Sequence, residues 1–420
     1  MSTSPAKPGG PVLTADGTPL KTSLERSLKL SKLRALGLIL PPLVFLVILF
    51  VIPIGSLLTR SIDDGLSNKV LPKTLAAFER WDKTSEPDEA MFEALYLDMT
   101  AADRLDLSKL GTRMNYEKSG WRSLLKITAR GLNRIDGPPY KPAILQLNKR
   151  WGDIKFWQSL GAMKDPVTLG YYLKAVDLKY DGNKNVMRVK KHNRIYQMLW
   201  WRTFLVSTIV TIGCLVLAYP VAHLLATLPL RLSNLLMICV LMPFWTSLLV
   251  RIVSWMVMLQ QNGVVNDSLV SLGMLHDENR LAMMYNFTGT VIVMTQILLP
   301  FMILPIYSVM KTIPPSYMKA AQNLGATPAL AFIKVYMPQT VPGVGAGCIL
   351  VFIVAIGYYI TPELVGGKDG RLIGNLIAYH MQNSLNWGLA AAMGTILLVA
   401  ILTLYWVYDK LVGVDNMKMG

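Results

Sequence analysis

The sequence is poor in charged residues and in groups suited to chemistry. Only 16% of its 420 residues are charged, whereas 52% are hydrophobic. In soluble proteins roughly a quarter of all residues are charged, so the composition argues against an ordinary soluble enzyme. The three cysteines, Cys214, Cys239 and Cys348, lie in apolar stretches and have no metal-ligand spacing. Neither a disulfide framework nor a zinc site is expected.

The motifs of several enzyme classes are also missing. The chain has no GxxxxGK[ST] loop to hold nucleotide phosphates and no HExxH pair to hold zinc. It has no GxSxG nucleophile turn, and its four histidines are scattered. We therefore expect no catalytic residue, no metal and no cofactor in this chain.

Apolar residues are instead concentrated in long stretches, in keeping with the mean hydropathy of +0.39. Six of them are long enough, or nearly so, to cross about 30 Å of hydrocarbon as helices. They cover residues 36–58, 203–228, 235–259, 288–310, 344–360 and 389–407. The first is too long for a signal-peptide core, so we interpret it as a retained anchor. The sequence predicts a protein that crosses the membrane six times.

The distribution of Lys and Arg predicts the orientation of these spans. If the N-terminus is cytoplasmic, the inner segments carry twelve Lys and Arg, and the two short outer loops carry three. Both termini are therefore expected in the cytoplasm. On this topology residues 1–31 form a disordered cytoplasmic tail, 311–343 a cytoplasmic loop and 408–420 a second tail.

The long segment 60–202, between the first two spans, carries most of the remaining charge. It contains 26 Lys and Arg against 17 Asp and Glu, which supplies +9 of the net charge of +16. Long loops cross the membrane regardless of their charge, so this positive charge does not contradict the predicted topology. Apolar-periodic stretches predict a mostly helical extracytoplasmic domain with a scaffolding or docking role. Since the basic residues lie here and in orienting loops, we expect membrane lipid and not nucleic acid as a partner.

The loop after the fourth span has a distinctive local pattern. Pro315 suits a helix start, and Gly325 suits a left-handed helix end. Thr327 is placed to cap a second helix with Pro328 in its first turn, and Pro338 is expected to end that helix. Such a helix pair fits insertion into a groove of a partner. It fits equally a surface helix on lipid headgroups.

The same residues resemble a known signature. The spacing of Ala320-Ala321, Gly325 and Met337-Pro338 is similar to the EAA signature of permeases in binding-protein-dependent ABC importers. Lys319 stands where glutamate is usual, and Met337 stands where leucine is usual. The likeness extends over residues 203–407, and weakly over 36–58, to the spermidine/putrescine-type permeases. It is carried by MPFWTS at 242–247, QNGVVN at 261–266, AIGYYITPELVGG at 355–367 and IGNLI at 373–377.

The resemblance implies the all-α fold of type I ABC importer permeases, which has six membrane helices. In this chain a large insertion would occupy residues 60–202, and the permease core residues 203–407. It implies two cytoplasmic ABC ATPase subunits, a second permease subunit and an extracytoplasmic solute-binding protein as partners, in a bacterial cytoplasmic membrane. ATP hydrolysis would occur on the partner chain. The residues implied in coupling to the ATPase are Lys319, Ala320, Ala321, Gly325, Ala326 and Pro338.

Six residues are candidates for the substrate pathway, because charged or aromatic groups within or beside spans often serve transport. They are Arg251, Trp245, Trp255, Tyr358, Tyr359 and Glu363. Arg251 is equally well explained as a structural charge near the interface, and the aromatic residues as packing or belt residues.

A polyamine such as spermidine or putrescine is the expected solute. The alternatives are another small solute, such as an amino-acid derivative or opine, or a membrane-anchored sensor or structural protein with an extracytoplasmic ligand domain.

Overall fold

The computed structural model describes residues 20–82, 84–161, 163–180 and 185–412. It consists of two compact units, Met1–Thr59 and Arg60–Gly420. Of the two predicted tails, residues 1–19 and 413–420 lie outside the described residues. The chain is already helical from Leu20, within the segment predicted as disordered.

The first unit is built around one long apolar helix. Helix α1 (Leu20–Leu46) continues through a wide turn of π-helix (Val47–Val51) into α2 (Ile52–Arg60). Pro41 and Pro42 lie shortly before the wide turn. The side chains are exposed along 31–54, and a helix that is apolar on all faces suits a lipid environment.

Eight short helices and a hairpin follow in the second unit. The helices are α3 (Leu66–Val70), α4 (Pro72–Phe78), α5 (Glu89–Ala101), α6 (Arg104–Asn115), α7 (Trp121–Gly131), α8 (Tyr140–Leu147), α9 (Ile154–Gly161) and α10 (Gly170–Ala175). Strands β1 (Leu178–Tyr180) and β2 (Val186–Arg188) pair antiparallel, with Lys179 opposite Met187. The helical expectation for this segment holds, but the hairpin departs from the all-α prediction.

Residues 62–168 form what we call the helical module. Its core contains Trp121, Trp151 and Trp157, all fully buried, and the Trp151 indole donates to Thr128 Oγ1 at 2.7 Å. Burial of such large aromatic side chains is the main source of stability in a domain this size. The sequence pattern of apolar residues therefore produces a compact core of its own.

The two ends of the helical module meet. Asp63 and Val167 form an antiparallel bridge. The amide of Asp64 donates to the carbonyl of Pro166 at 2.9 Å, and Thr168 donates to Ile62 at 2.8 Å. The chain thus enters and leaves the module at one place.

The remaining helices include the other candidate membrane spans. They are α11 (Tyr196–Thr227), α12 (Leu230–Leu241), α13 (Leu248–Leu259), α14 (Val264–Ser271), α15 (Phe287–Thr312), α16 (Pro315–Asn323), α17 (Pro328–Ala331), α18 (Met337–Ile356), α19 (Ile360–Val365), α20 (Ile373–Gln382) and α21 (Trp387–Val412). In the described part of the chain, six helical segments are long and apolar enough to cross a membrane. The predicted number of candidate membrane helices, six, is confirmed.

The third span differs from the predicted range 235–259. A tight turn at Met242–Trp245 ends α12, and the backbone is extended at Thr246 and Ser247 before α13 begins. Pro243, in the first turn of this tight segment, has no N–H to donate to a continuous helix. The candidate span is shifted to Leu248–Ser271, and Leu230–Trp245 forms a shorter apolar segment.

Helices α11, α15 and α18 form the centre of the core. A Cβ atom on Gly343 of α18 would lie 2.9 Å from Val309 Cβ and 3.0 Å from the Pro305 carbonyl on α15. Gly347 is similarly close to Met302. Small residues at such crossings let two backbones approach, which is how membrane helices pack without a hydrophobic driving force.

A buried arginine of the helical module pairs with two carboxylates within the module and binds a tyrosine outside it. Arg113 of α6 binds Asp64 through Nη2 at 2.8 Å and donates through Nε to the Tyr171 hydroxyl at 2.6 Å. It also pairs with Glu117 at 2.7 Å. Burial alone would lower the pKa of Arg113, but Tyr171, Glu117 and Asp64 raise it above its ordinary value. In a second link, the Tyr116 hydroxyl donates to the carbonyl of Ser384 at 2.5 Å. Ser384 lies between α20 and α21.

Candidate functional site

The loop after α15 contains two short helices separated by a break at Gly325. Helix α16 ends at Asn323, and Gly325 follows with φ of +92°, a left-handed conformation that glycine adopts without strain. The Thr327 hydroxyl then accepts a hydrogen bond from the Leu330 amide at 3.3 Å and caps α17. We call residues 315–331 the projecting segment. Its local structure is the helix, break and second helix that the sequence predicts.

The prediction that Pro338 ends the second helix is wrong. Helix α17 widens into a turn of π-helix at Phe332–Tyr336 and continues as α18, with Pro338 at its second residue. A proline ring normally clashes with the carbonyl four residues earlier. The wide turn changes the hydrogen-bond register just before the proline, so the helix continues into the membrane span.

The tip of the projecting segment is uncovered. Lys319 and Ala320 are exposed, Ala321 and Ala326 are half-buried, and Leu324 is 90% exposed. Lys319 has no ion-pair partner within the part of the chain that the structure describes. The tip, with Leu324 among polar side chains, is therefore accessible to another molecule.

The base of the projecting segment is held firmly against α11. The His223 ring lies 5.2 Å from the rings of both Phe332 and Tyr336 in edge-on geometry. One turn away, the Tyr219 hydroxyl lies 3.1 Å from Thr340 Oγ1. The chain that follows the projecting segment is therefore packed against α11, one of the central helices of the core.

The candidate pathway residues fall into two groups. The first surrounds Arg251 on α13, whose Nε and Nη1 atoms are buried without a hydrogen-bond partner in the described part of the chain. Tyr358, which follows α18, packs against the same hydrophobic cluster as Trp255. Trp255, one turn along α13, donates to Gln296 Oε1 of α15 at 2.9 Å.

The second group surrounds Glu363 on α19. Asn375 Nδ2 donates to Glu363 Oε2 and to the carbonyl of Tyr359, each at 2.8 Å. Arg371 lies 3.5 Å from the other carboxylate oxygen, and the Glu363 side chain is 50% exposed. The carboxylate is thus oriented by its neighbours while it stays open to solvent.

Trp245 belongs to neither group, since it is 74% exposed on the turn before α13. Two residues that sequence reasoning missed, Gln296 and Asn375, orient members of the groups. Gln296 was visible as a polar residue inside an apolar span, and Asn375 as part of the quoted IGNLI run.

Comparisons with known proteins place this architecture in a family. Residues 193–412 match the family described as "Binding-protein-dependent transport system inner membrane component". The chain is 34% identical over 237 residues to the spermidine/putrescine transport system permease protein PotB of Escherichia coli (strain K12), covering 55% of this chain and 86% of PotB. Against PotB of Haemophilus influenzae (strain ATCC 51907 / DSM 11121 / KW20 / Rd) the identity is 34% over 224 residues, covering 53% and 78%.

A solved structure is also similar, that of a bacterial alginate ABC transporter in complex with an alginate pentasaccharide-bound periplasmic protein. It has 16% identity and a TM-score of 0.43, covering 54% of this chain and 80% of that chain. The family match spans more than half of the sequence. It contains the projecting segment and both groups of candidate pathway residues. The chain belongs to the family of inner-membrane components of binding-protein-dependent transport systems.

Proposed function

We propose that this permease subunit of an ABC importer takes up polyamines and is driven by ATP hydrolysis on a partner. The observation that carries the proposal is the 34% identity to PotB over 86% of that protein's length. The partners would be a pair of cytoplasmic ATPase subunits, a second permease subunit and an extracytoplasmic solute-binding protein.

The projecting segment is the proposed contact with the ATPase. Its exposed tip around Leu324 suits a groove in another protein, and its base is fixed to α11 through His223. Movement of an ATPase subunit would then tilt α11 and α18 together and change access to the pathway, as alternating access requires. The excess of Lys and Arg in the shorter segments supports a cytoplasmic location for this side.

For the substrate, Glu363 is the carboxylate best placed to attract a cationic amine. Asn375 fixes one of its oxygens and leaves the side chain half exposed. Arg251, in contrast, is positively charged like a polyamine and therefore repels it. Trp255 and Tyr358 add aromatic surfaces, which also attract cations.

Replacing Glu363 with glutamine is expected to raise the KM for spermidine uptake about tenfold, the effect of losing roughly 1.4 kcal/mol of charge-assisted binding. Glutamine retains an oxygen for the hydrogen bond from Asn375, so the fold is preserved. The measurement is uptake of radiolabelled spermidine by cells that express the complete importer.

Asp369→Asn is the matched control, because it removes an exposed negative charge from the same outer loop. Equal KM values for the Glu363 variant and the wild type would remove Glu363 from the pathway. Failure of the wild type to take up spermidine or putrescine would overturn the polyamine assignment itself.

The helical module is proposed to lie outside the membrane and to help dock the solute-binding protein or the sister permease. The contact between Tyr116 and Ser384 ties it to the connection between α20 and α21. Tyr171 also packs on Gly388, where an added Cβ would lie 2.4 Å from the ring. A protein bound to the module would therefore act directly on the last membrane helix.

Removal of residues 66–165 tests this role. Because Asp63 and Val167 are already paired, a short Gly-Ser linker closes the gap without moving the flanking chain. We expect the shortened chain to insert but to bind the solute-binding protein at least tenfold more weakly, or to assemble poorly. Normal affinity together with normal assembly would exclude the docking role.

A further inference from the structure

A groove between α6 and α7 of the helical module is lined by basic side chains. Its volume is about 400 Å³, and its basic lining residues are Arg104, Arg122, Lys126 and Arg130. Leu107, Leu125 and Ala129 form an apolar floor, and Ser108 and Asn133 complete the lining. Among the described residues no carboxylate lines the groove, and the four basic side chains carry four positive charges at neutral pH. We call it the basic groove.

The carboxylates of α6 are engaged on another side of the helix. Asp106 binds Lys69 at 2.7 Å and Lys109 at 3.6 Å, and Asp103 adds to the field that raises the pKa of Lys69. In the described ranges of the chain, none of the four groove cations has a carboxylate oxygen within 4.0 Å. The groove therefore has no internal counter-charge.

The cations on α7 are regularly spaced. Arg122, Lys126 and Arg130 follow one another at intervals of four residues, so they form one stripe about 12 Å long on the helix surface. Their exposed heads repel one another unless an anion lies between them. Arg104 faces this stripe from the first turn of α6.

We propose that the basic groove binds a phosphate-bearing molecule. Guanidinium groups match phosphate oxygens with paired hydrogen bonds, and a phosphate group brings up to two negative charges to the four cations. The apolar floor accommodates a hydrocarbon or ring attached to the phosphate, within a volume typical of small-ligand sites.

Two sources of phosphate fit this chemistry, a phospholipid headgroup and a soluble phosphate compound. Arg122 and Ser108 also line a neighbouring cleft of about 620 Å³ that includes Arg60 and Trp387. Trp387 begins α21, and the Arg60 guanidinium lies 5.7 Å from the centre of a ring in its indole. Tryptophan and arginine at the end of a span are typical of the headgroup region, so this connection favours the lipid.

The test compares two triple variants of the purified full-length chain in phosphatidylcholine nanodiscs, to which phosphatidylglycerol is added for the lipid measurement. Arg122→Gln, Lys126→Gln and Arg130→Gln remove the stripe, whereas Lys73→Gln, Lys149→Gln and Arg188→Gln remove the same charge from exposed sites outside the groove. One arm measures binding of radiolabelled pyrophosphate by equilibrium dialysis. The other measures retention of phosphatidylglycerol by native mass spectrometry.

We expect the stripe variant to lose at least tenfold in affinity in one or both arms, and the control variant to match the wild type. Binding should also weaken as salt is raised, because the contacts are ionic. Selective loss in the phosphatidylglycerol arm identifies the lipid source, and selective loss in the pyrophosphate arm identifies a soluble one. Absence of wild-type binding in both arms, or an equal loss in both variants, would overturn the proposal. No transport is measured, so the outcome is independent of the proposed function.

Discussion

Replacing Gly325 with valine is expected to lower solute uptake about tenfold or more while ATP hydrolysis by the partner subunits continues. Gly325 has φ of +92°, and no atom lies within 4 Å of a Cβ added there, so the effect comes from the backbone alone. A left-handed conformation costs a residue with a side chain roughly 1–2 kcal/mol, and more for a β-branched one. The angle between α16 and α17 would change, and the exposed tip would no longer fit its groove.

Gly325→Asn is the matched control, since asparagine tolerates the left-handed region much better than valine. It should retain most of the uptake. Both variants need equal amounts of inserted protein, checked by immunoblot, and ATPase activity measured in the same membranes. Wild-type uptake in the valine variant would show that the angle at Gly325 has no part in coupling.

Replacing Arg113 with methionine is expected to destabilise the helical module by about 3–5 kcal/mol, the usual cost of breaking a buried ion pair on one side. Asp64 is 4% exposed and would lose its cationic partner. The Tyr171 hydroxyl would lose the same partner. Urea unfolding of the purified chain, followed by the fluorescence of the module's buried tryptophans, measures the loss.

Two further variants distinguish the effect of breaking the buried ion pair from the effect of removing a positive charge. Lys109→Met breaks an exposed pair with Asp106 and should cost less than about 1 kcal/mol. Arg113→Met combined with Asp64→Leu removes both buried charges and should recover a large part of the stability. If Arg113→Met and Lys109→Met unfold at the same urea concentration, the buried pair does not hold the module together.

Local features of the site were predictable from the sequence because neighbouring residues determine them. The cap at Thr327 and the left-handed residue at Gly325 each depend on a few adjacent residues, and both are present. The six apolar segments were predictable for the same reason, since hydrophobicity is summed over one continuous stretch. The wide turn before Pro338 was not predicted, and two of its residues, Phe332 and Tyr336, contact His223 of α11, which is distant in sequence.

Contacts between residues far apart in the sequence could not be predicted from local sequence patterns. Arg113 and Asp64 are 49 residues apart, and nothing in their local surroundings marks them as partners. Asn375 and Glu363 are 12 residues apart across a turn whose course is fixed by tertiary packing. The basic groove needs two helices in contact, although the spacing of its stripe on α7 is visible in the sequence.

The meeting of the two ends of the helical module at Asp63 and Val167 has an evolutionary consequence. A segment whose ends already touch can be gained or lost in a single event, since the chain leaves the segment where it entered. It can also complete its core during synthesis, before the helices from α11 onwards emerge from the ribosome. A permease ancestor can therefore have acquired this segment without any rearrangement of its membrane helices.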